Sequence, residues 1–550
     1  MARTVSFRLF SRLMAAALLA DRQRCSAGEA IGLLNNEVTK ASGSADTTRR
    51  EFLKGAMATG ATLALGSLTG FPLRAEAKPL ASSLSVGIVG AGLAGLACAD
   101  RLKTAGISAS IYEAAGRAGG RCWSLRGFFP GQVAERGGEL IDTLHTTMLG
   151  YARRFGLVLE DLKNERGETC YFFLGQRRSE AEIVSEFRDF VPVMRRDLNR
   201  LSKEVTALSH TEADVILDRT SLLAYLEGQN SSSVPAGSLA KTAIVAAYEA
   251  EYGLAAAEQS CLNFLLFMHP DRRSEFTPFG VFSDERYHLV DGNDRIVEAL
   301  TRELDGQFTY GTRLVRVRRA GDGRIELTLL SGSRAIVRTH DVVVLAIPFT
   351  VLREVELDEN LAIPPRRLTA IRTLGYGTNA KMMVGFSARP WRTLGSSGTS
   401  YADLAHVQTT WETNPSRGTD TRGILTDYSS GPRGANLIPS DVHTEARRFL
   451  NDLELVFPGV LSAATLSQGR YLAHLEHWPS HPLVQGSYTC YKPGQFTTIA
   501  GLEGISVNNL FFAGEHTNSF YEWQGFMEGA ARSGLAVAQA IAALAKKRRI

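Results

Sequence analysis

A six-residue glycine motif between two predicted strands constrains the fold of this chain more than any other feature. A short apolar run at residues 85–89 predicts the first strand, 93–104 predicts a helix, and 108–112 predicts a second strand that ends at Glu113. Glu113 follows the middle glycine by 21 residues, where an acidic side chain can accept hydrogen bonds from a ribose. The pattern predicts an α/β, Rossmann-like domain that binds a dinucleotide through Gly90, Ala91, Gly92, Leu93, Ala94 and Gly95.

Each glycine of this motif has a physical role. Gly90 permits the tight turn out of the strand, Gly92 lets the backbone approach a pyrophosphate, and Gly95 allows the helix to pack closely on the sheet. The first N–H groups of the helix have no partners within the helix and carry the positive end of its dipole. We therefore expect phosphate oxygens to bind at the start of this helix.

Two further glycine-rich segments favour FAD over NAD. Residues 117–121 read RAGGR and supply two guanidinium groups and a flexible backbone beside a pyrophosphate and a flavin. Residues 135–140 contain a second glycine pair, where the backbone can pass close to a planar ring. The further predicted FAD contacts in these segments are Arg117, Gly120, Arg121, Gly137, Gly138, Glu139 and Leu140, and Glu113 and Ala114 are predicted contacts at the end of the second strand.

The C-terminal end of the chain contains another strand–loop–helix unit. An apolar strand from residue 510 breaks at Gly514, and the segment 525–530 begins a helix that runs to about residue 544. The N-terminus of that helix can stabilise negative charge on a reduced flavin. We predict cofactor contacts from Gly514, Glu515, Gly525, Phe526 and Met527.

The net charge of +4 lies in the first 77 residues, which contain 10 Lys/Arg and 6 Asp/Glu and leave 51 of each type for the remainder. Composition therefore gives no support for a nucleic-acid surface.

The leader resembles a twin-arginine export signal. It has paired arginines within residues 48–54, an uncharged stretch at 55–73 and the small-residue pattern Ala75–Ala77. We predict a leader over 1–77 and a periplasmic or secreted protein exported in folded form. A core helix at 55–73, an organellar signal at 3–24 or a misassigned start codon are the alternatives.

The residues from Ser85 to the C-terminus resemble the flavin-containing amine oxidase family, which includes monoamine oxidases, polyamine oxidases and L-amino-acid oxidases. The resemblance rests on the motifs above and on 291–293 and 346–348. It implies an FAD-binding domain interleaved with an α+β substrate domain that combines a mixed sheet with helices. The FAD-binding domain comprises 84–143, 288–347 and 484–545, and the substrate-binding domain comprises 144–287 and 348–483. It also implies adenine-side contacts at Leu314 and Val315.

The same resemblance implies the residues that contact the substrate. Lys381 matches a lysine that reaches the flavin N5 through a water, while Tyr488 and Phe526 match two walls of an aromatic cage. Trp523 is expected to line the same cavity. Monoamine oxidases carry a cysteine that links to the flavin at the position of Ser487. Because serine cannot form that thioether, we expect non-covalent FAD.

One departure from the family bears on the substrate. L-amino-acid oxidases tend to have an arginine after the glycine pair that clamps the substrate carboxylate, and Leu140 follows Glu139 here. This favours an amine. Glu139 or Asp142 could attract a cationic substrate tail, and a capping or structural role for them is the alternative. The predicted reaction oxidises a primary amine, or an L-amino acid, to an imine. Hydrolysis then gives a carbonyl product and ammonia, and O2 is reduced to H2O2.

Several alternatives stay open at this point. The chain could be an L-amino-acid oxidase with a different carboxylate clamp, a flavin desaturase or isomerase of a lipid-like substrate, or a non-catalytic FAD-binding protein. An NAD-dependent dehydrogenase is a further alternative. The expected partners are a small amine or amino acid, O2 and the twin-arginine machinery, and a homodimer is left open. No CxxC pair or other metal-ligand pattern occurs among the six cysteines.

Overall fold

The computed structural model describes residues 5–34, 84–162, 167–266, 284–414, 421–518 and 523–547, with the side chains of 5–12 and 547 excepted. The predicted twin-arginine motif and cleavage pattern lie outside these ranges. The architecture is mixed α/β, with a parallel nucleotide-binding sheet, as the sequence predicts. Among the described helices, none is both long enough and apolar enough to cross a membrane.

The described strands are numbered in chain order. They are β1 (Val86–Val89), β2 (Ala109–Tyr112), β3 (Ser124–Leu125), β4 (Ala134–Glu135), β5 (Leu159–Asp161), β6 (Glu168–Phe173), β7 (Gln176–Arg178), β8 (Tyr287–Leu289), β9 (Phe308–Thr309), β10 (Thr312–Arg319), β11 (Ile325–Ser331), β12 (Arg334–His340), β13 (Val342–Leu345), β14 (Glu356–Leu357), β15 (Ala380–Phe386), β16 (Ser396–Ala402), β17 (Thr409–Glu412), β18 (Gly423–Ser429), β19 (Leu466–Ser467), β20 (Arg470–Tyr471), β21 (Ala473–His477) and β22 (Leu510–Phe512).

The described α-helices are numbered in the same way, and residues 27–34 form one more helical stretch at the edge of a described range. The helices are α1 (Val5–Gln23), α2 (Leu93–Thr104), α3 (Thr146–Arg154), α4 (Glu180–Leu198), α5 (Glu212–Arg219), α6 (Leu222–Leu226), α7 (Ser238–Tyr252), α8 (Leu262–Leu265), α9 (Asp294–Glu303), α10 (Phe349–Leu352), α11 (Pro365–Thr373), α12 (Pro390–Thr393), α13 (Gly431–Asn436), α14 (Val442–Val456), α15 (Val460–Ala463), α16 (Gln495–Thr498) and α17 (Met527–Lys547).

A five-stranded parallel sheet forms the nucleotide-binding layer, in the order β22-β13-β1-β2-β9. Helices α2 and α17 pack on one face, and the four-stranded sheet β12-β11-β10-β14 shares a core with the other. Burial on both faces explains the continuous apolar runs of β1 and β13. A Cβ at Gly534 would lie 2.0 Å from the carbonyl oxygen of Ala94, so the small residue lets α17 cross α2 closely.

The second layer is a seven-stranded mixed sheet in the order β21-β15-β18-β17-β16-β6-β7. Its pairings are antiparallel except for β16 with β6. Five of its strands fall within 348–483 and two within 144–287. The helices α3 to α8 also come from 144–287. This arrangement places the sheet that carries Lys381 beside the nucleotide-binding layer, while the predicted domain boundaries stay a prediction.

The N-terminal part of the predicted leader forms a helix that packs into the protein core. Helix α1 packs on α4 and α7 and contacts β16 and β17. Its apolar run from Leu13 to Ala20 is buried almost completely, apart from the half-buried Leu19. The sequence analysis includes this run in the predicted leader over 1–77, which stays a prediction. In the structure its apolar side chains belong to the core of the substrate layer.

Candidate active site

One continuous cavity of about 670 Å³ brings the first and last glycine-rich segments together. This volume suits a bound cofactor with its substrate. The walls include most of the residues that the sequence predicts for the site. These are Gly90, Gly92, Leu93, Ala94, Glu113, Ala114, Arg117, Gly120, Arg121, Gly137, Gly138, Glu139, Leu140, Leu314, Lys381, Tyr488, Gly514, Glu515, Gly525, Phe526 and Met527.

Three predicted cofactor contacts lie beside the cavity and do not line it. The N–H of Ala91 donates to the Glu113 carboxylate at 2.7 Å, so this residue supports the cavity wall from behind. Gly95 packs on the turn, because a Cβ there would lie 2.0 Å from the carbonyl oxygen of Gly90. Val315 sits at a register irregularity of β10, where its neighbour Leu314 lines the cavity.

Trp523 is also outside the described cavity wall. Its ring lies 5.6 Å from the ring of His145, and the Arg532 guanidinium lies 4.8 Å from the Trp523 ring. His145 is buried and makes an edge contact with Phe526 at 4.9 Å. Burial lowers the pKa of His145 to about 4, so this imidazole is neutral. Trp523 therefore packs behind Phe526 instead of facing the substrate.

The described residues fit the ribose and pyrophosphate of FAD. Each oxygen of the Glu113 carboxylate accepts one backbone N–H, from Ala91 and Ala115, and keeps lone pairs for ribose hydroxyls. Burial raises the pKa of Glu113. The N-cap of helix α2 is Gly92, which provides no side-chain cap and so leaves the first N–H groups of the helix for phosphate oxygens. A Cβ at Gly92 would meet open space, so the cavity approaches bare backbone here.

Arg121 and Glu515 join the two ends of the chain across the cavity. The Arg121 guanidinium lies 2.9 Å from the Glu515 carboxylate and donates to the carbonyl of Ser487 at 2.6 Å. The second Glu515 oxygen accepts hydrogen bonds from the Thr489 hydroxyl at 3.0 Å and the Gly525 N–H at 2.9 Å. This carboxylate thus fixes the start of the last motif against the first.

Lys381 faces the second glycine pair and is buried, with 5% of its surface exposed. Its ammonium donates to the carbonyl of Gly137 at 2.8 Å, the carbonyl of Glu135 at 3.3 Å and the Glu139 carboxylate at 2.6 Å. These three acceptors match the three donors of an ammonium group. Lys381 therefore clamps the 135–139 backbone, and a water-mediated contact to the flavin stays a prediction.

Buried polar groups brace the same backbone from the other side. The Asn293 side chain donates to the carbonyls of Gly138 and Glu139, at 3.1 and 2.6 Å, and its own N–H donates to the Glu135 carboxylate. The Ser124 hydroxyl also donates to Glu135. Burial raises the pKa of Glu135 to about 8, so a proton on this carboxyl is favoured at neutral pH. The glycine pair is thus held rigidly beside the cavity.

Glu139 and Asp142 do not offer an unpaired anion to a cationic substrate tail. Glu139 accepts from Lys381 and from the Trp411 indole N–H at 2.9 Å, so its charge is compensated within the protein. Asp142 does not line the described cavity; it accepts the Glu285 N–H at 2.8 Å and lies 3.3 Å from the His145 ring nitrogen. Both carboxylates therefore have internal partners, which agrees with the structural role that the sequence analysis left open for them.

Two aromatic residues that the sequence analysis missed complete the substrate end of the cavity. The Tyr428 and Tyr488 hydroxyls lie 2.9 Å apart, and Tyr488 also donates to the carbonyl of Ala250 at 3.4 Å. The Trp411 ring packs on Tyr428 at 5.4 Å, with Leu140 against both. Tyr428 is opposite Lys381 in the β15–β18 register. Only knowledge of that strand pairing could have revealed it from the sequence.

Charge and thiol chemistry at the cavity wall are limited. Within the described ranges, the lining arginines are Arg117, Arg121 and Arg313, all in the nucleotide-binding segments. Cys122 lines the cavity, but burial raises the pKa of its thiol far above the usual range, which disfavours the nucleophilic thiolate. The Ser487 hydroxyl donates to the Asn379 side chain. These features agree with non-covalent FAD.

Comparisons with known proteins agree with the geometry. The sequence model of the family described as flavin containing amine oxidoreductase matches residues 93–542. L-amino acid oxidase Bs29 of Bothriechis schlegelii is 23% identical over 479 residues, covering 84% of this chain and 91% of its own length. A putative L-amino-acid oxidase of Bacillus subtilis is 23% identical over 474 residues, covering 82% of this chain and 93% of its own length.

Solved structures show the same fold. Cyclohexylamine oxidase from Brevibacterium oxydans aligns with a TM-score of 0.70 at 20% identity, over 84% of this chain and 99% of its own. Wild-type putrescine oxidase bound to putrescine aligns with a TM-score of 0.67 at 20% identity, with the same coverage. The family match spans most of the chain and includes most of the residues that line the cavity. The chain is therefore an FAD-dependent enzyme that belongs to the flavin-containing amine oxidoreductase family.

Proposed function

We propose that this enzyme oxidises primary amines to imines, which water hydrolyses to a carbonyl compound and ammonia. The observation that carries the proposal is the single cavity that Lys381 and Tyr488 share with the glycine segments of both chain ends. When bound, FAD supplies the redox chemistry: it accepts two electrons from the amine as a hydride and passes them to O2, which leaves as H2O2. The amine loses one further proton as the imine forms.

The aromatic wall positions the amine and excludes water. Tyr488, Phe526, Tyr428 and Trp411 line the cavity on the substrate side, with the two tyrosine hydroxyls in contact. Because the Tyr488 hydroxyl also donates to a backbone carbonyl, the ring is held in one orientation. Fixed rings lower the entropy cost of aligning the reacting C–H bond. None of these four side chains carries an ionic group that could form an ion pair with the amine nitrogen.

Several features favour an amine that carries no carboxylate. Glu139 and Leu140 follow the glycine pair, and no arginine of the described substrate-layer segments lines the cavity. The lysine that does line it has three protein acceptors. A substrate carboxylate placed here would be desolvated without a strong cationic partner, which is costly. The compensated Glu139 likewise gives no advantage to diamines over monoamines.

Oxidation of L-amino acids is the second candidate, because curated relatives that match more than 80% of this chain carry that name. Pairs of substrates that differ only by the carboxylate separate the two functions. Peroxide release is measured with phenethylamine against L-phenylalanine and with tryptamine against L-tryptophan. We expect the amines to have the higher kcat/KM. A preference for both amino acids would refute the amine assignment.

Absence of peroxide with every amine and amino acid would favour a desaturase, an isomerase or a non-catalytic flavoprotein. Anaerobic mixing separates these three alternatives from an amine oxidase. If the bound flavin stays oxidised with all of these substrates, the protein is not an amine oxidase. A flavin that is reduced without subsequent peroxide release would retain amine oxidation but remove O2 as the acceptor.

Export in folded form is a separate part of the proposal, supported by the arginine pair and the small-residue pattern at 75–77. Replacing both Arg49 and Arg50 with lysine keeps the charge and removes the twin-arginine motif. We expect the wild type in the periplasmic or secreted fraction and the double variant in the cytoplasm. Equal distribution of both proteins would contradict this route.

A further inference from the structure

The first 34 residues contain a helix that is built into the protein core. Seven residues between Leu13 and Ala20 are at most 4% exposed, and Ala16, Ala17 and Ala20 are completely buried. Such a sequence would be a marginal helix in isolation, because most helical stability in proteins comes from packing. The buried positions are Leu13, Met14, Ala15, Ala16, Ala17, Leu18 and Ala20.

The groove that receives α1 is formed by four elements. Helix α1 lies against α4 and α7 and also contacts β16 and β17. Phe187 and Met194 of α4 and Ala247 of α7 belong to the same core cluster and are no more than 2% exposed. Without α1, this apolar surface would face water, at a cost proportional to its area.

Polar contacts fix the helix and the turn after it in one register. Asp21 forms an ion pair with Arg195 of α4, and the Arg188 guanidinium donates to the carbonyl of Cys25. Beyond this turn, Ala30 and Leu34 are buried as well. The docked unit therefore extends to residue 34 and combines apolar burial with directional contacts.

We propose that residues 5–34 are a permanent part of the substrate layer and stay bound as a separate chain if the segment 35–83 is cut. Hydrolysis of one peptide bond there, including at the predicted cleavage pattern near Ala77, would consume one water and give a two-chain enzyme. The arginine pair would then lie in a connector between two parts of one folded body, and not in a leader that is lost.

This arrangement links the N-terminus to the substrate cavity. Strand β17, which α1 contacts, carries Trp411, and the Trp411 indole donates to Glu139 in the cavity wall. Loss of α1 would remove support from behind this strand. Retention of the helix after cleavage therefore keeps the wall intact.

The test uses the full chain with an N-terminal affinity tag and a sequence-specific protease site inserted between residues 35 and 47. The purified FAD-loaded enzyme is cut and passed over a size-exclusion column without denaturant. We expect the tagged fragment to co-elute with the body, which keeps its FAD and its thermal midpoint. Elution of the fragment on its own, whatever the state of the body, would overturn the proposal.

A matched pair of charge variants makes the test specific to the groove. Ala16→Glu adds a negative charge at a fully buried position, and Gln23→Glu adds the same charge at an exposed position of α1. After cutting, we expect the fragment to dissociate in the Ala16→Glu protein and to stay bound in the Gln23→Glu protein. Equal retention in both would show that the fragment is held by something other than the described groove.

Discussion

Replacement of Lys381 by methionine tests the electrostatic design of the cavity wall. Methionine keeps the length and apolar stem of the side chain but removes the ammonium. Glu139 would lose its closest partner, at 2.6 Å, and the carbonyls of Glu135 and Gly137 would lose a donor. The buried Glu139 carboxylate would keep the hydrogen bond from the Trp411 indole N–H.

The cost follows from the burial of this pair, whose side chains are 6% and 5% exposed. Removing one partner of a buried ion pair typically costs about 3–5 kcal/mol. Because Trp411 still donates to Glu139, we expect Lys381→Met to lower the free energy of unfolding by about 3 kcal/mol. Adding Glu139→Gln removes the stranded charge, so the double variant should recover about 2 kcal/mol of that loss.

The assay is urea unfolding of the FAD-loaded proteins, followed by tryptophan fluorescence, for the two single variants and the double variant. Lys492→Met is the control, since it makes the same substitution where the lysine side chain is 44% exposed and lies 4.0 Å from Glu258. We expect this control to change stability by less than about 0.5 kcal/mol. Stopped-flow measurement of flavin reduction in the same proteins shows whether the clamp also affects turnover, and we expect Lys381→Met to slow it.

Additive effects of the two substitutions would refute this reasoning, because they would show that Lys381 and Glu139 do not interact. A Lys381→Met protein as stable as the Lys492→Met control would refute it as well. Unchanged rates in both the reductive and the oxidative half-reaction would remove any catalytic role for Lys381, while the structural role would stand on the unfolding data alone.

Three further predictions concern other parts of the site. Tyr428→Phe removes one hydroxyl of the pair with Tyr488, and a hydrogen bond of about 1 kcal/mol predicts a roughly fivefold loss in kcat/KM for amines with unchanged FAD affinity; an unchanged kcat/KM would contradict this. Burial raises the pKa of Asp427 to about 8, above its unfolded value, so its contribution to stability is present at low pH and is lost as pH rises towards 8. Asp427→Asn should therefore stabilise the protein by on the order of 2 kcal/mol at pH 8 and by almost nothing at pH 4, and a pH-independent difference in urea unfolding would argue against this. Acid precipitation should release all of the flavin into the supernatant, since Ser487 cannot form a thioether; flavin that stays with the pellet would refute non-covalent binding.

The nucleotide-binding half of the site could be predicted from the sequence because its chemistry is local. The turn at Gly90, the helix start at Gly92 and the acid at Glu113 fall within one βαβ unit, where spacing along the chain fixes positions in space. The helix predicted for 93–104 has the same limits in the structure. Family resemblance extended this to Lys381 and Tyr488, which do line the cavity.

The substrate half depends on pairings between distant strands, which the sequence does not specify. Trp411 and Tyr428 reach the cavity only because β17, β18 and β15 lie side by side in the seven-stranded sheet. For the same reason the sequence did not reveal the partners of Glu139, and a structural role and attraction of a substrate tail both stayed open for its carboxylate. The burial of α1 was missed because an apolar run near the N-terminus has the same composition in a core helix and in a targeting segment.

An anaerobic titration of the purified enzyme with phenethylamine tests the central claim most directly. The cavity joins both glycine-rich ends of the chain to Lys381 and Tyr488, so we predict a yellow protein whose flavin absorbance is bleached completely by the amine. L-phenylalanine should bleach it far more slowly. A folded protein that is colourless and takes up no FAD, or a bound flavin that neither compound reduces, would contradict the account.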